Sequence, residues 1–550
     1  MSSNTRIDSG TSKSEPALQH NVFREAEKLG VAVEEVVVTR VSEEDLMKIS
    51  RDCLDVHSKA GFRLILVVLV MGFNMAGYGV DWGVIGSINS YDTFHNYFGF
   101  PNSGVILGTI NGLMTIGTFV GAPFLALGDV IGRRGVNFAG NLIVVVAALI
   151  QGLAPNLAAL MVGRFLLGFG SSMASAPQLM AEIAPVHLRG RLVGFFGTWF
   201  QFGSIIMIGA MTGFTKWNSD YQWRVPLILE ALFPFLVCTT IYWWCPESPR
   251  YLLLKGRHED ARRVIARHMT THDDVDAPIV PLIMQQIEES IESSRAGVRA
   301  SYDFRVFFTK AVGYRTFVLI LYSVFQQWNG GAIISYYLSP ALDTIGITKS
   351  IDQLGINLGS TCVYFVFEFV GSFIVDMFRR RTLIFAGLIT FIVTQTAVTV
   401  TSWQYTVTES HAAAVLTVVW VFVYQVCSAS LIATMHNLYP VEVLSLPLRA
   451  KGMGFYNMVQ GAAGVVQSYG ISVGIEKVGY KIWVVYVVYN TLQLIAAYFV
   501  FPETSKLSLE EIDTIFETPG SNPVKLSLKI EKAREERERV RREEADGGDA

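Results

Sequence analysis

What most limits this chain is a series of twelve apolar stretches, near residues 62–88, 104–127, 135–153, 156–178, 191–212, 224–244, 315–338, 354–377, 382–402, 412–435, 452–474 and 481–501. A helix crossing about 30 Å of hydrocarbon needs about 20 such residues, and backbone in lipid must satisfy its own N–H and C=O groups. An all-α membrane protein with twelve transmembrane helices is therefore expected. Composition agrees, with 51% apolar and 17% charged residues and a mean hydropathy of +0.38. The net charge of −3 comes without a sustained basic patch outside the tails, which argues against nucleic acid as a partner. Cys53, Cys238, Cys245, Cys362 and Cys427 lie scattered without CxxC spacing or companion histidines, so neither disulfides nor a metal site is expected. No nucleophile–base pair emerges, and the chain reads as neither an enzyme nor the holder of a cofactor.

The chain also repeats itself. Gly128-Asp129-Val130-Ile131-Gly132-Arg133-Arg134 is echoed by Asp376-Met377-Phe378-Arg379-Arg380-Arg381, each a charged turn between apolar runs. Glu182 precedes Arg189 as Glu442 precedes Arg449, and Pro246-Glu247-Ser248-Pro249-Arg250 returns as Pro502-Glu503-Thr504-Ser505-Lys506. Asp129 and Asp376 are 247 residues apart, Glu182 and Glu442 260, and Glu247 and Glu503 256. Three motifs kept in order at separations of roughly 250 residues predict two parallel six-helix bundles.

The expected organisation is a tail over 1–61, a first bundle over 62–245, a helical linker over 246–313, a second bundle over 314–501 and a tail over 502–550. Arg133/Arg134, Arg189/Arg191, Arg379/Arg380/Arg381 and Arg449/Lys451 follow even-numbered helices, on the side that holds both termini. The positive-inside rule makes that side cytoplasmic. The polar first 59 residues lack an apolar core of signal-peptide type, so the first membrane helix is expected to act as an uncleaved signal-anchor. Within the linker, Glu259-Asp260-Ala261-Arg262-Arg263 and Gln285-Gln286-Ile287-Glu288-Glu289 have the spacing of amphipathic helices. The charged stretch Lys529–Arg539 reads as a solvated helix or a disordered tail.

Ionisable groups in a bilayer cost at least about 2.5 kcal/mol each, and those that remain pair or line a pathway. Asp81, in the glycine-rich Gly77–Gly86, is expected to face Arg164 of the fourth stretch. Two readings stand: a proton carrier whose charge depends on Arg164, or a permanent pair that holds two helices. Glu230 and Glu368 read as structural partners, as cytoplasmic-side gate ionics or as additional protonatable groups. Asp129, Arg133, Arg134, Glu182, Arg189, Glu247, Arg250, Asp376, Arg380, Arg381, Glu442, Arg449 and Glu503 are assigned to gating, because charge-assisted bonds at helix ends can close one side and release it.

These residues resemble the sugar porters of the major facilitator superfamily over about residues 62–516. The likeness rests on Gly128-Asp129 with Gly132-Arg133-Arg134, Gly163-Arg164, Glu182-Ile183-Ala184-Pro185 with Arg189-Gly190, Trp223-Arg224, Gln326-Gln327, Tyr336-Tyr337, and the Pro-Glu-Ser-Pro-Arg and Pro-Glu-Thr motifs. It implies two six-helix bundles, an intracellular helical domain, a midplane sugar site and alternating access. Asp81 and Arg164 match the acid and base that proton-coupled members pair, which favours sugar:proton symport in a plasma membrane. Gly197-Thr198-Trp199-Phe200-Gln201-Phe202-Gly203 and Gln327-Trp328 are similar to the fungal lactose, cellodextrin and hexose permease type. Departures fall at the sugar site: Gly197 stands where many members have Gln, Ala332 where they have Asn, and Thr434-Met435-His436-Asn437 replaces Pro-x-x-Trp. They imply a larger or different ligand.

A polyhydroxylated ligand needs amides for its hydroxyls and aromatic faces for its C–H surfaces. Gln326, Gln327, Trp328, Asn329, Gln201, Tyr336, Tyr337 and Asn457 are the candidate contacts, though tryptophans and tyrosines serve equally as packing or interface residues. The expected partners are a sugar, protons and the lipid bilayer, with the chain acting as a monomer. A porter of the same fold for a polyol, a quinate-like acid or a secondary metabolite, and a sugar sensor that does not transport, remain the rival readings.

Overall fold

A computed structural model describes residues 43–547, apart from 56, 175, 297–306, 310–311, 446–448, 506, 508 and 519–520. The chain divides into two compact units, Met1–Lys48 and Ile49–Ala550. The first is described only from Glu43, where a helix begins. All regular structure among the described residues is helical.

Within the second unit, the main helices of the first half are α1 (Lys59–Ile88), α2 (Val105–Gly121), α3 (Arg133–Gly152), α4 (Leu157–Met173), α5 (Val186–Phe214), α6 (Tyr221–Leu229) and α7 (Leu232–Trp244), with short helices at Asp92–Phe98, Gly128–Ile131 and Ala176–Ile183 between them. The linker forms α8 (Pro249–Leu254), α9 (His258–Met269) and α10 (Ile279–Ala296), as the spacing of its apolar residues predicts. The second half consists of α11 (Gly313–Gln327), α12 (Gly331–Tyr336), α13 (Leu338–Asp343), α14 (Ser350–Met377), α15 (Arg380–Thr408), α16 (His411–Ser428), α17 (Met435–Val443), α18 (Arg449–Val478) and α19 (Ile482–Val500). Two more helices, α20 (Leu509–Glu517) and α21 (Pro523–Gly547), complete the described chain.

Nine helical spans among the described residues are long and apolar enough to cross a membrane, the last of them, Gly452–Val500, taking in most of α18 and all of α19. Large apolar side chains such as Phe369, Phe499, Leu492 and Trp243 are exposed, as a lipid-facing surface requires. The expected fifth stretch lies in α5, and the seventh is broken after Gln327.

That break carries a chemical cost that the fold meets. Gly330 takes φ +95°, a conformation natural to glycine, and the helical ladder is interrupted. The Asn329 carbonyl is held instead by Gln395 Nε2 at 2.7 Å, Asn490 Nδ2 at 3.2 Å and Tyr424 Oη at 3.4 Å. Non-helical backbone in a membrane protein persists only where protein groups satisfy it in this way.

Close backbone approach joins α1 to α5. A Cβ on Gly79 would overlap the Phe200 carbonyl oxygen, and one on Gly203 the Ala76 carbonyl oxygen. Glycine at both positions lets the two helices touch along their backbones.

The segment just before α1 and the first turns of α1 are tied to the linker: the Cys53 carbonyl accepts from Thr271 N at 3.0 Å, and Arg63 pairs with Asp273 at 2.6 Å. The charged C-terminal stretch, expected to be solvated or disordered, forms α21 and docks. Glu531 reaches Arg379 at 2.8 Å, the Ser527 hydroxyl accepts from Glu503 N at 3.0 Å, and Val524 is buried. Its apolar and hydroxyl side chains, interleaved with the charges, supply the docking face.

Candidate functional site

The repeated motifs converge into one constellation, built twice. In the first half, the Glu247 carboxylate accepts from Arg134 N at 3.2 Å and from Ser248 N at 3.0 Å. Arg133 pairs with Asp129 at 2.9 Å and with Glu182 at 3.6 Å, and the Ser248 hydroxyl donates to Glu182. Correspondingly, Glu503 accepts from Arg380 N at 3.0 Å and Arg381 N at 3.1 Å, Arg380 pairs with Glu442 at 3.1 Å, and Thr504 Oγ1 donates to Glu442 at 2.6 Å. In each half one carboxylate caps the start of a helix while the other neutralises an arginine, two uses that helix-end geometry favours.

These named ion pairs join elements of one half, not the two halves to each other. Arg189 lies within electrostatic reach of Glu182, and Arg250 donates to Ser290 Oγ of the linker at 3.2 Å. The side chains of Asp376 and Arg449 fall outside the described residues.

At the other end of the helices, away from these arginine turns, the halves do meet. Asn102 Nδ2 donates to Asp343 Oδ2 at 2.6 Å, Ser472 Oγ donates to the Gly104 carbonyl at 2.7 Å, and the hydroxyls of Ser90 and Ser339 bond each other. Deeper in, Asn357 Nδ2 donates to Ser87 Oγ at 2.9 Å, and Trp82 packs on Tyr336 with ring centroids 4.7 Å apart. This far end is closed.

Asp81 lies one residue before Trp82, in the first half, and is 1% exposed. The expected direct Asp81–Arg164 pair is not what forms. Arg164, also 1% exposed, places Nη1 at 3.4 Å from Oε1 of Glu230, which is fully buried and also accepts from Gln151 Nε2 at 3.4 Å. Asp81 receives Ser171 Oγ at 3.4 Å through Oδ2, and its Oδ1 has no partner. Both Arg164 and Glu230 remain within electrostatic reach of Asp81. The reason is positional: Glu230, which sequence weighed only as a secondary ionic group, sits where α6 ends, facing α4.

Across from this cluster, the break between α11 and α12 presents amides. Gln326 Nε2 donates to Tyr322 Oη at 2.7 Å. The Gln327 amide makes no protein bond among the described residues and lies beside Gly464 of α18. Gln201 of α5 lies near Glu368 of α14. Other candidates are occupied in holding the fold. Trp328 Nε1 donates to the Ala463 carbonyl at 2.9 Å, Asn329 Oδ1 accepts from Gly331 N at 2.8 Å while its Nδ2 donates to the Gln326 carbonyl, and Tyr337, fully buried, donates to the Ser468 carbonyl at 2.8 Å. Tyr336 packs on Trp82, and Asn457 is exposed on α18.

Sequence reasoning passed over Tyr322, Gln395, Gln460 and Asn490. Their one signal is an amide or phenol inside an apolar run, where an unbonded polar group is expensive.

Two matching helical halves, closed together at one end around a buried carboxylate–guanidinium cluster and a wall of amides, define a multi-pass membrane transporter. The chain belongs to the Sugar (and other) transporter family, which matches residues 64–516; these are the sugar porters of the major facilitator superfamily, transporters and not enzymes. It is 27% identical over 479 residues to the MFS-type transporter oryC of Aspergillus oryzae, covering 84% of this chain and 86% of that one. It is equally 27% identical over 513 residues to Hexose transporter 2 of Kluyveromyces lactis, covering 87% and 88%. Its fold matches the inward-open conformation of the xylose transporter XylE from E. coli, with a TM-score of 0.67 at 17% identity over 82% of this chain and 99% of that one.

Proposed function

We propose that the chain is a sugar:proton symporter of the plasma membrane that works by alternating access, with both termini and the arginine turns on the cytoplasmic side. The observation that carries the proton is a charge count. Asp81 and Glu230 share one buried guanidinium, Arg164, so the cluster holds one negative charge in excess when both acids are ionised. A buried net charge is unfavourable, and one proton removes it. Asp81, with a single 3.4 Å partner and an unpartnered oxygen, is the acid that takes it.

With the far end closed, the site communicates with the cytoplasmic side, where sugar and proton leave. Re-opening outward separates the bonds at Asn102, Ser90 and Gly104 and brings the arginine turns of the two halves together. The amides of Gln326 and Gln327 bind hydroxyls of a mono- or disaccharide. Gly197, one turn before Gln201, has nothing within 4 Å of where a Cβ would stand, leaving room for a ligand larger than a hexose. The same opening suits the rival reading, a non-sugar cargo, and similarity to an MFS-type transporter whose name states no sugar supports keeping it.

The test is uptake of labelled glucose, xylose, lactose and cellobiose into proteoliposomes with and without an acid-outside gradient. Accumulation of one sugar that a protonophore collapses is expected, and Asp81→Asn is expected to abolish accumulation while leaving exchange. Full accumulation by that variant contradicts the proton role; no sugar movement by folded wild-type protein contradicts the sugar.

A further inference from the structure

Between α16 and α17 the helix makes a π-helical turn, Ala429–Ala433. Such a turn holds an extra residue and shifts the helix faces beyond it. Just past the turn stands His436, half-buried, its ring lying between α11 and α18. Nδ1 is 3.4 Å from Gln326 Oε1, and Nε2 is 3.2 Å from Gln460 Nε2.

The polarity of this arrangement is fixed from its two ends, because a backbone carbonyl can only accept. Tyr322 Oη donates to the Met435 carbonyl at 2.9 Å, so its oxygen accepts from Gln326 at 2.7 Å, which puts the amide nitrogen there and turns Oε1 to the histidine. Tyr456 Oη likewise donates to the His436 carbonyl at 2.9 Å and accepts from Gln460 Nε2 at 3.2 Å. The imidazole must then donate through Nδ1 and accept through Nε2, as one neutral tautomer. Both hydrogens of Gln460 Nε2 are used, leaving its Oε1 a pure acceptor with no protein partner among the described residues. Gln326 Nε2 keeps one hydrogen to give.

We propose that His436 is a specificity-determining positioning residue, which locks the Gln326 and Gln460 amides so that α11 offers a donor and α18 an acceptor to a hydroxylated ligand. This rests on the sugar reading above. A hydroxyl both gives and takes a hydrogen bond and fits such a pair, whereas a ligand lacking that hydroxyl leaves both amides unmet.

Binding of glucose, cellobiose and their monodeoxy analogues to the purified full chain tests it, with the melting temperature of the unliganded protein measured alongside. In the wild type, removal of one particular hydroxyl is expected to weaken binding by about tenfold or more, about 1.4 kcal/mol per decade. His436→Phe removes both ring bonds and lets the amides turn. Its discrimination between parent and deoxy sugar is expected to fall within roughly threefold of unity, while His436→Gln, which keeps a donor and an acceptor, restores it. His436→Leu serves if the Phe variant does not fold. Wild-type discrimination in either folded apolar variant overturns the role of His436 and leaves the transporter reading intact. A wild-type chain that binds neither sugar overturns the sugar reading, and this inference with it.

Discussion

Arg164 shows how one residue's worth depends on what surrounds it. Its guanidinium is the cation that Asp81 and Glu230 share, and the group is buried away from any solvent that could replace it. Removing it strands two carboxylates in the interior, and breaking a buried pair costs about 3–5 kcal/mol. Arg164→Ala is therefore expected to lower the detergent melting temperature far more than Asp81→Asn, which removes the excess charge and leaves the Arg164–Glu230 pair. Equal melting of the two variants contradicts the shared-cation account. At this scale sequence was half legible. It placed Asp81, Arg164 and Glu230 as intramembrane ions, but the choice of Glu230 as the direct partner depends on where α6 ends against α4, which apolar spacing does not encode. Asn329, Trp328 and Tyr337 have the right chemistry for a sugar; it is the break after Gln327 that commits them to backbone carbonyls and amides.

Among the elements, the α1–α5 contact is unforgiving. Gly79→Ala places a methyl on the Phe200 carbonyl, and overpacking of this kind costs about 1–3 kcal/mol. Gly197→Ala, on the same helix pair but with open space around it, is expected to melt like the wild type. Thermal unfolding of both variants checks the contrast. The linker carries a pH dependence. Burial holds the His268 imidazole below its ordinary range, its Nδ1 donating to the Val264 carbonyl at 3.0 Å. An unfolded linker thus binds a proton that the folded one refuses, so its contribution to stability is complete above about pH 6.5 and is lost as pH falls below it. Faster hydrogen exchange across α9 at pH 5.5 than at pH 7.5, absent in His268→Phe, is expected. The linker helices were readable because amphipathic spacing is local. The docking of α21 was not, since Arg379 and Glu531 are 152 residues apart and each has many other residues of opposite charge to choose from.

For the whole molecule, closure of the far end is the property that matters, and it is held by a few polar bonds between halves. Asn102→Ala removes the donor that Asp343 accepts at 2.6 Å. A hydrogen bond to a charged group contributes about 1.5–3 kcal/mol, so the open far-end population is expected to rise about tenfold or more. Distances between spin labels on α2 and α13 measure it; an unchanged distribution contradicts a latch at this pair.

Sequence by itself determined the membrane class, the all-helical fold and the repeat, because lipid forces a span to be long, apolar and internally hydrogen-bonded. It also located the charges that lie inside apolar runs, where each ion kept needs a reason. Tertiary structure alone decided how those charges pair, which amides are spent on backbone groups, and which end is closed. These depend on distances of a few ångströms between side chains remote in sequence, and no periodicity along the chain records them.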